Sequence, residues 1–192
     1  MPDRKSQTTR STRKSQSAAG ARKRSRQPQP ASTKLDPPAM PKLRLAIELI
    51  PRPLWGKNLR TALGKHRWYR IRDDVAPENK KDGCEICGCR PPQPLLGHEA
   101  WEYEENRRTG IARLKGIKRI CQDCSSIHHF GRTAKLAQSG VITPMEFERI
   151  IQHFLKVNKC TAEVFGSHFR DAQKVWHRRS NMKWIVDFGS FS

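Results

Sequence analysis

The residues best equipped for chemistry in this chain are four cysteines and the histidines that stand between and after them. Cys84-Glu85-Ile86-Cys87 and Cys121-Gln122-Asp123-Cys124 are two C-x2-C pairs. Each pair can turn two thiolates onto one ion through a tight knuckle, and two pairs complete the tetrahedron of a structural Zn²⁺ site. Redox dithiols share the spacing, but they belong to a thioredoxin-like βαβ setting that the flanking sequence does not provide. Between the pairs lies Gly97-His98-Glu99-Ala100-Trp101-Glu102-Tyr103, and directly after them Ser125-Ser126-Ile127-His128-His129. Imidazoles in such places can accept a proton near neutral pH or hold a divalent ion. His98 alone also reads as an ordinary hydrogen-bonded strand histidine. Cys160 reads as a small core residue, and Cys89 as a spare thiol or an alternative zinc ligand.

The elements that must position these groups follow from periodicity and punctuation. Leu43, Leu45, Ile47, Leu49 and Ile50 form a short extended or buried stretch closed by Pro51 and Pro53. Trp55 to Trp68 has helical spacing, with Leu59, Leu63 and Arg67 on one side. Asn79 to Gly83 is a polar turn into the first knuckle. Leu95 to Tyr103 and Ile111 to Ile120 read as two strands joined by the charged loop from Glu104 to Gly110. Leu114 and Ile120 point to the core, and Gly116 weakens the second strand. On the first strand Glu102, not Glu99, shares a face with His98, and Trp101 and Tyr103 belong to the core on the other face.

A helix is expected from Cys124 to Gln138. Thr143-Pro144-Met145-Glu146 is a capping box that opens another, running to about Val157. Thr161 can cap a last helix to about Arg179, and Trp184 to Phe188 reads as a closing strand. The order knuckle, hairpin, helix is the treble-clef arrangement of zinc ligands, and the 33 residues between Cys87 and Cys121 leave room for the hairpin. The expected fold class is α+β: a zinc-stabilised treble-clef/ββα-metal core with flanking helices and a disordered basic N-terminal tail. The expected divisions are 1–42 (tail), 43–82 (lead-in), 83–140 (zinc-bound core) and 141–192 (C-terminal helices and strand packing on the core).

From about Gly83 to Gly131 the chain resembles the zinc-stabilised HNH endonucleases. The resemblance rests on Cys84-x2-Cys87, on His98-Glu99-Ala100-Trp101-Glu102-Tyr103, and on Cys121-x2-Cys124 followed by His129-Phe130-Gly131. It implies structural zinc on Cys84, Cys87, Cys121 and Cys124. It also implies that His98 is the general base activating water, with a catalytic divalent ion, Mg²⁺ or Mn²⁺, near His129. The sequence departs from the family at three positions. Gly97 stands where an acid or histidine binds the ion, Gly116 near the mid-motif asparagine, and Ser125 where a histidine lies four residues before His129. The ion would then lean on His129 together with His128, Glu99, Glu102 or a phosphate oxygen. His128, about a quarter turn from His129, reads as a surface or phosphate-contacting residue. His153, His168 and His177 lack ligand spacing.

Charge points to the same class of partner. The net charge is +20, and twelve of the 38 Lys and Arg but only two of the 18 Asp and Glu fall in residues 1–44. An excess of that size favours a polyanion through phosphate contacts and counterion release, so nucleic acid is the expected partner, DNA ahead of RNA. Arg22, Lys23, Arg24 and Arg26 form the densest cluster, readable as a nucleic-acid tail or as a nuclear import signal in a eukaryote. Arg170, Lys174, His177 and Arg178 form a second basic face or a merely solvated one. Met1 to Lys34 contains no Leu, Ile, Val or aromatic residue, which leaves no signal-peptide core and no apolar face for a transit helix. No apolar run is long enough to cross a membrane, and thiols of this kind suit a reducing compartment. The expected location is cytoplasmic and nucleoid-associated, or nuclear in a eukaryote. Three functional readings stand open: an HNH-like metal-dependent endonuclease, a catalytically inactive descendant that binds DNA or RNA, and a zinc protein-interaction module.

Overall fold

The computed structural model describes residues 43–75 and 83–191. The cluster Arg22, Lys23, Arg24 and Arg26 and most of the turn from Asn79 to Gly83 lie outside the described residues. The described part mixes helix and sheet, as an α+β chain should. Its elements are α1 (Leu59–Leu63), α2 (Lys65–Val75), β1 (Leu96–Glu105), β2 (Thr109–Ile120), α3 (Gln122–His128), α4 (Phe130–Gln138), α5 (Pro144–Asn158), α6 (Ala162–Ser180) and β3 (Lys183–Asp187).

The hairpin β1–β2 is longer and its turn tighter than the charged sequence suggests. Asn106 makes the difference: its Oδ1 accepts from the backbone N–H of Arg108 and Thr109 and from the Thr109 hydroxyl. That side chain satisfies the turn, so both strands extend to it. The antiparallel register runs from Leu96↔Ile120 to Ala100↔Gly116, then shifts to Trp101↔Leu114. Lys115 is therefore an extra residue in β2, a β-bulge beside Gly116, whose φ is +155°. The shift lets even-numbered residues of β2 serve two cores. Ile120 belongs to one and Ala112 to the other. β3 adds to the free edge of β2 in parallel, giving the sheet order β1-β2-β3.

The larger core surrounds the four cysteines and Phe130, with Leu45, Ile47, Ile127, Ile150 and Phe154. The Phe130 ring meets Phe147, Phe165 and Phe169 at centroid distances of 5.5, 5.2 and 5.2 Å, so α4, α5 and α6 lock on one aromatic residue. The smaller core joins Leu54, Ala112, Met182 and Trp184 to Trp101 and Tyr103, the placement expected for the two β1 aromatics. Cys160 is half-buried against the larger core.

Two helix expectations need correction. Trp55 to Trp68 is not one helix: Asn58 caps α1 through a bond from Thr61 N, and Gly64, at φ +81°, ends it before α2 starts. Such a φ suits glycine and breaks the helical path. Cys124 to Gln138 is also divided. His129, at φ −96° and ψ 36°, separates α3 from α4, and the Thr133 hydroxyl donates 2.8 Å to Ser126 O, so the break leaves that carbonyl satisfied. The capping box on α5 forms as expected, with Thr143 and Glu146 each bonding the other's backbone N–H.

Candidate active site

The cysteine cluster is assembled from three local devices. In the knuckle, Gly88 N donates 2.8 Å to Cys84 O and Cys84 N donates 2.8 Å to Cys89 O. A Cβ on Gly83 would lie 2.6 Å from Gly88 O, so the loop closes only with glycine there. Glu85 then ties the knuckle to the end of β2: its N–H donates to Arg119 O at 3.0 Å and its Oε1 accepts from Arg119 N at 2.8 Å. Cys121 sits at the N-cap of α3, and Cys124 follows in its first turn. All four Sγ atoms lie within 4.8 Å of one another, none in a disulfide. Cys87 Sγ and Cys121 Sγ are 3.7 Å apart, far beyond the roughly 2.05 Å of a disulfide bond. The group can hold a metal ion. Hydrogen bonds from Cys121 and Cys124 lower the pKa of the Cys84 thiol. Cys89 contributes its carbonyl to the knuckle, and its thiol is outside the four.

His153 was not expected here. Its Nε2 is 3.2 Å from Cys124 Sγ, on the third turn of α5. Sequence spacing concealed it because α5 meets α3 only through tertiary packing.

A second convergence lies beside β1. The His98 ring stacks on His128 at 4.6 Å and 21°, and meets His129 at 5.1 Å and 56°. On an unbroken helix the two neighbours would diverge by about 100°; the break at His129 lets both approach His98. His128 is 8 % exposed, so it is no surface residue, contrary to the sequence reading. The third party is Glu48, which sequence reading passed over. Glu48 Oε1 is 3.7 Å from His128 Nδ1, and Glu48, His98 and His128 each offer a ligand atom within 4.8 Å of the others.

Glu48 is held there by its backbone. Its N–H donates 3.1 Å to His128 O. Leu45 is gripped on both sides by Asn158, whose Oδ1 accepts from Leu45 N at 3.0 Å and whose Nδ2 donates to Leu45 O at 2.8 Å. Ile47 N donates 2.9 Å to His168 Nε2. Leu45 and Ile47 are buried, and alternation turns Glu48 the other way, into a cleft of about 480 Å³ that His98, His128, His129, Ser125 and Gly97 also line. One signal marked it: Glu48 is the only acidic residue between Asp36 and Asp73.

The electrostatics keep the imidazoles unprotonated. Burial first, then the charges of His128, His129 and Lys118, push His98 down to about 3. Burial and the neighbouring His129 and Lys118 push His128 down to about 4. His129 is lowered by burial and by Arg132. All three imidazoles are therefore neutral at physiological pH. Burial raises the Glu48 carboxyl against the charges of Lys118 and Arg179, although 47 % of its side chain faces the cleft. His128 Nδ1 is a buried nitrogen with no hydrogen-bond partner. Its 3.7 Å separation from Glu48 is too long for a hydrogen bond. It suits two ligands of one ion, because bonds of about 2.1 Å place donors up to about 4.2 Å apart.

The acids weighed from sequence are committed elsewhere. Glu102 is half-exposed and pairs with Lys115 at 3.3 Å. Glu99 borders the cleft, but Oε1 accepts from Leu59 N and Oε2 from Trp101 Nε1. The α6 basic face is partly spent on partners: Lys174 pairs with Asp171 and Arg178 with Glu105. No helix of the described residues is long and apolar enough to cross a membrane. No family model, curated protein or solved structure matches the chain.

Proposed function

We propose that this protein is an HNH-like, metal-dependent endonuclease built on a zinc-clipped treble-clef core. The observation that carries the reading is the convergence of Glu48, His98 and His128, with an unpartnered buried Nδ1 on His128, beside a hairpin–helix unit bearing four cysteines. A tetrahedron of thiolates about 2.3 Å from Zn²⁺ has edges near 3.8 Å, and the Cys87–Cys121 separation of 3.7 Å agrees with it.

The division of labour follows from position. Glu48 and His128 are the ligand pair for a catalytic divalent ion. Glu48 takes the part that Gly97 cannot play, and His128 replaces the histidine missing at Ser125. A carboxylate oxygen suits Mn²⁺ or Mg²⁺, and an imidazole beside it favours Mn²⁺ of the two. When bound, the ion supplies positive charge to the scissile phosphate and its leaving oxygen. His98, neutral and next to that pair, accepts the proton of a water whose oxygen attacks phosphorus. The bond to the leaving oxygen breaks as the new P–O bond forms, and solvent returns a proton to the leaving group. His129 borders the same cleft and orients the phosphate. The basic surface brings the polyanion to the cleft.

A second assignment draws on the mutual approach of all three ligand atoms: His98 joins Glu48 and His128 as a third ligand, and His129 becomes the base. Metal retention separates the two. Cleavage of plasmid DNA in Mn²⁺ should fall by about 10²–10⁴-fold in His98→Ala. If that variant still binds Mn²⁺ like the wild type, His98 is the base; if Mn²⁺ binding is lost with activity, it is a ligand. Full cleavage by His98→Ala removes both assignments. A wild type that binds DNA but cuts it in no metal is the inactive descendant, and one that ignores nucleic acid is an interaction module.

A further inference from the structure

Next to the histidine cleft lies a second one, of about 520 Å³, whose lining is mostly apolar. Its walls include Trp55, Trp176, Phe169 and Ile50, and Arg132 and Lys135 also border it. Glu48, Ile50, Trp55 and His129 line both cavities, so the two are adjoining chambers of one groove. The volume falls in the range of about 300–1,000 Å³ typical of small-molecule pockets.

The two indoles are fixed by one atom. Trp55 Nε1 donates 2.8 Å and Trp176 Nε1 donates 3.0 Å to the same acceptor, Ile50 O. That carbonyl belongs to the extended segment that also carries Glu48. Trp55 is nevertheless 63 % exposed. An indole whose only polar atom is satisfied and whose ring is held open to solvent is pre-organised for stacking, and it loses little entropy when a flat ring lies on it. Arg52 already covers the Trp176 ring at 4.8 Å, which leaves Trp55 as the open platform.

We propose that the Trp55 chamber receives an unpaired nucleobase of the strand whose phosphate occupies the histidine cleft. Charge complementarity selects this occupant over an apolar peptide: Arg132 and Lys135 border the chamber and can meet a phosphate beside the base, and the chain carries a net charge of +20. The inference rests on the nucleic-acid reading above and names its substrate class. A base inside an intact duplex cannot enter the chamber, so the preferred strand is single or carries a flipped nucleotide.

The test uses the full chain with its zinc and no added metal. Fluorescence anisotropy would follow a labelled single-stranded DNA 20-mer, the same sequence as duplex, and a single strand of equal length made of abasic sugar-phosphate. The wild type should prefer the ordinary single strand to both others. Trp55→Ala should weaken that strand by about tenfold and leave the abasic strand unchanged, whereas Trp55→Phe should retain most of the preference. Because Trp55 is exposed, thermal melting of the variants should match the wild type. Equal loss on the ordinary and abasic strands, no loss on either, or duplex bound as tightly as single strand each overturns the proposal. Base-dependent binding through Trp55 without cleavage in any metal sustains it and removes only the hydrolytic reading. Absence of nucleic-acid binding overturns both.

Discussion

At the scale of single residues, the decisive feature is where a carboxylate comes from. The hairpin motif has glycine at the position preceding His98, and the acid reaches the cluster from Glu48, fifty residues earlier in the chain. Glu48→Gln keeps the shape and removes the charge. It should weaken Mn²⁺ binding and cut the cleavage rate by at least tenfold, as read by isothermal titration and plasmid nicking; wild-type Mn²⁺ affinity in this variant would exclude Glu48 as a ligand. The second residue-scale prediction concerns His153, which reaches Cys124 Sγ at 3.2 Å. Groups behind the ligands typically change metal affinity by about 10–100-fold. His153→Ala should therefore lose zinc faster to a colorimetric chelator than the wild type, and an unchanged rate would reduce the contact to simple packing. The cysteines were legible because C-x2-C is local chemistry written in four residues. Glu48 and His153 were not, because their roles exist only after distant segments pack.

At the scale of elements, the lead-in segment 43–50 acts as a strap across the helical layer. Asn158 caps both backbone groups of Leu45, His168 accepts from Ile47, and His128 O accepts from Glu48. Asn158→Ala would strand two partly buried backbone groups, at a cost of about 1–3 kcal/mol for each one left unsatisfied. The expected result is a lower melting temperature and a cleavage rate that falls although no cleft residue has changed; wild-type melting would show that the strap is held elsewhere. Alternation in Leu43, Leu45 and Ile47 made the extended conformation readable. Its hydrogen-bond partners were hidden, since they are side chains on α5 and α6 and the backbone carbonyl of His128 on α3 rather than a neighbouring strand. The division of the helix at His129 was equally hidden: residues 124–131 are all weak helix formers, and no strong breaker marks His129 itself. The break accompanies the approach of His128 and His129 to His98 and the bond from the Thr133 hydroxyl to Ser126 O.

At the scale of the whole molecule, two sites share one scaffold. The cysteine cluster lies within the larger core, so on the zinc-site proposal a chelator should unfold the protein cooperatively, with loss of far-UV circular dichroism. A chain that keeps its fold without metal would contradict the structural role. The mixed α+β class, the hairpin and the grouping of four cysteines that could hold a metal ion were legible in the sequence, because each depends on periodicity or spacing. The parallel pairing of β3 with β2 and the adjoining clefts were not, for they join segments far apart in sequence. On the proposed function, the cluster of Glu48, His98 and His128 hydrolyses phosphodiester bonds with a divalent ion. Cleavage of plasmid DNA by zinc-loaded wild type and His98→Ala, with and without Mn²⁺, tests it most directly. Mn²⁺-dependent nicking by the wild type and a loss of about 10²–10⁴-fold in the variant are expected; equal rates for the two proteins, or nicking that needs no added metal, would overturn the assignment.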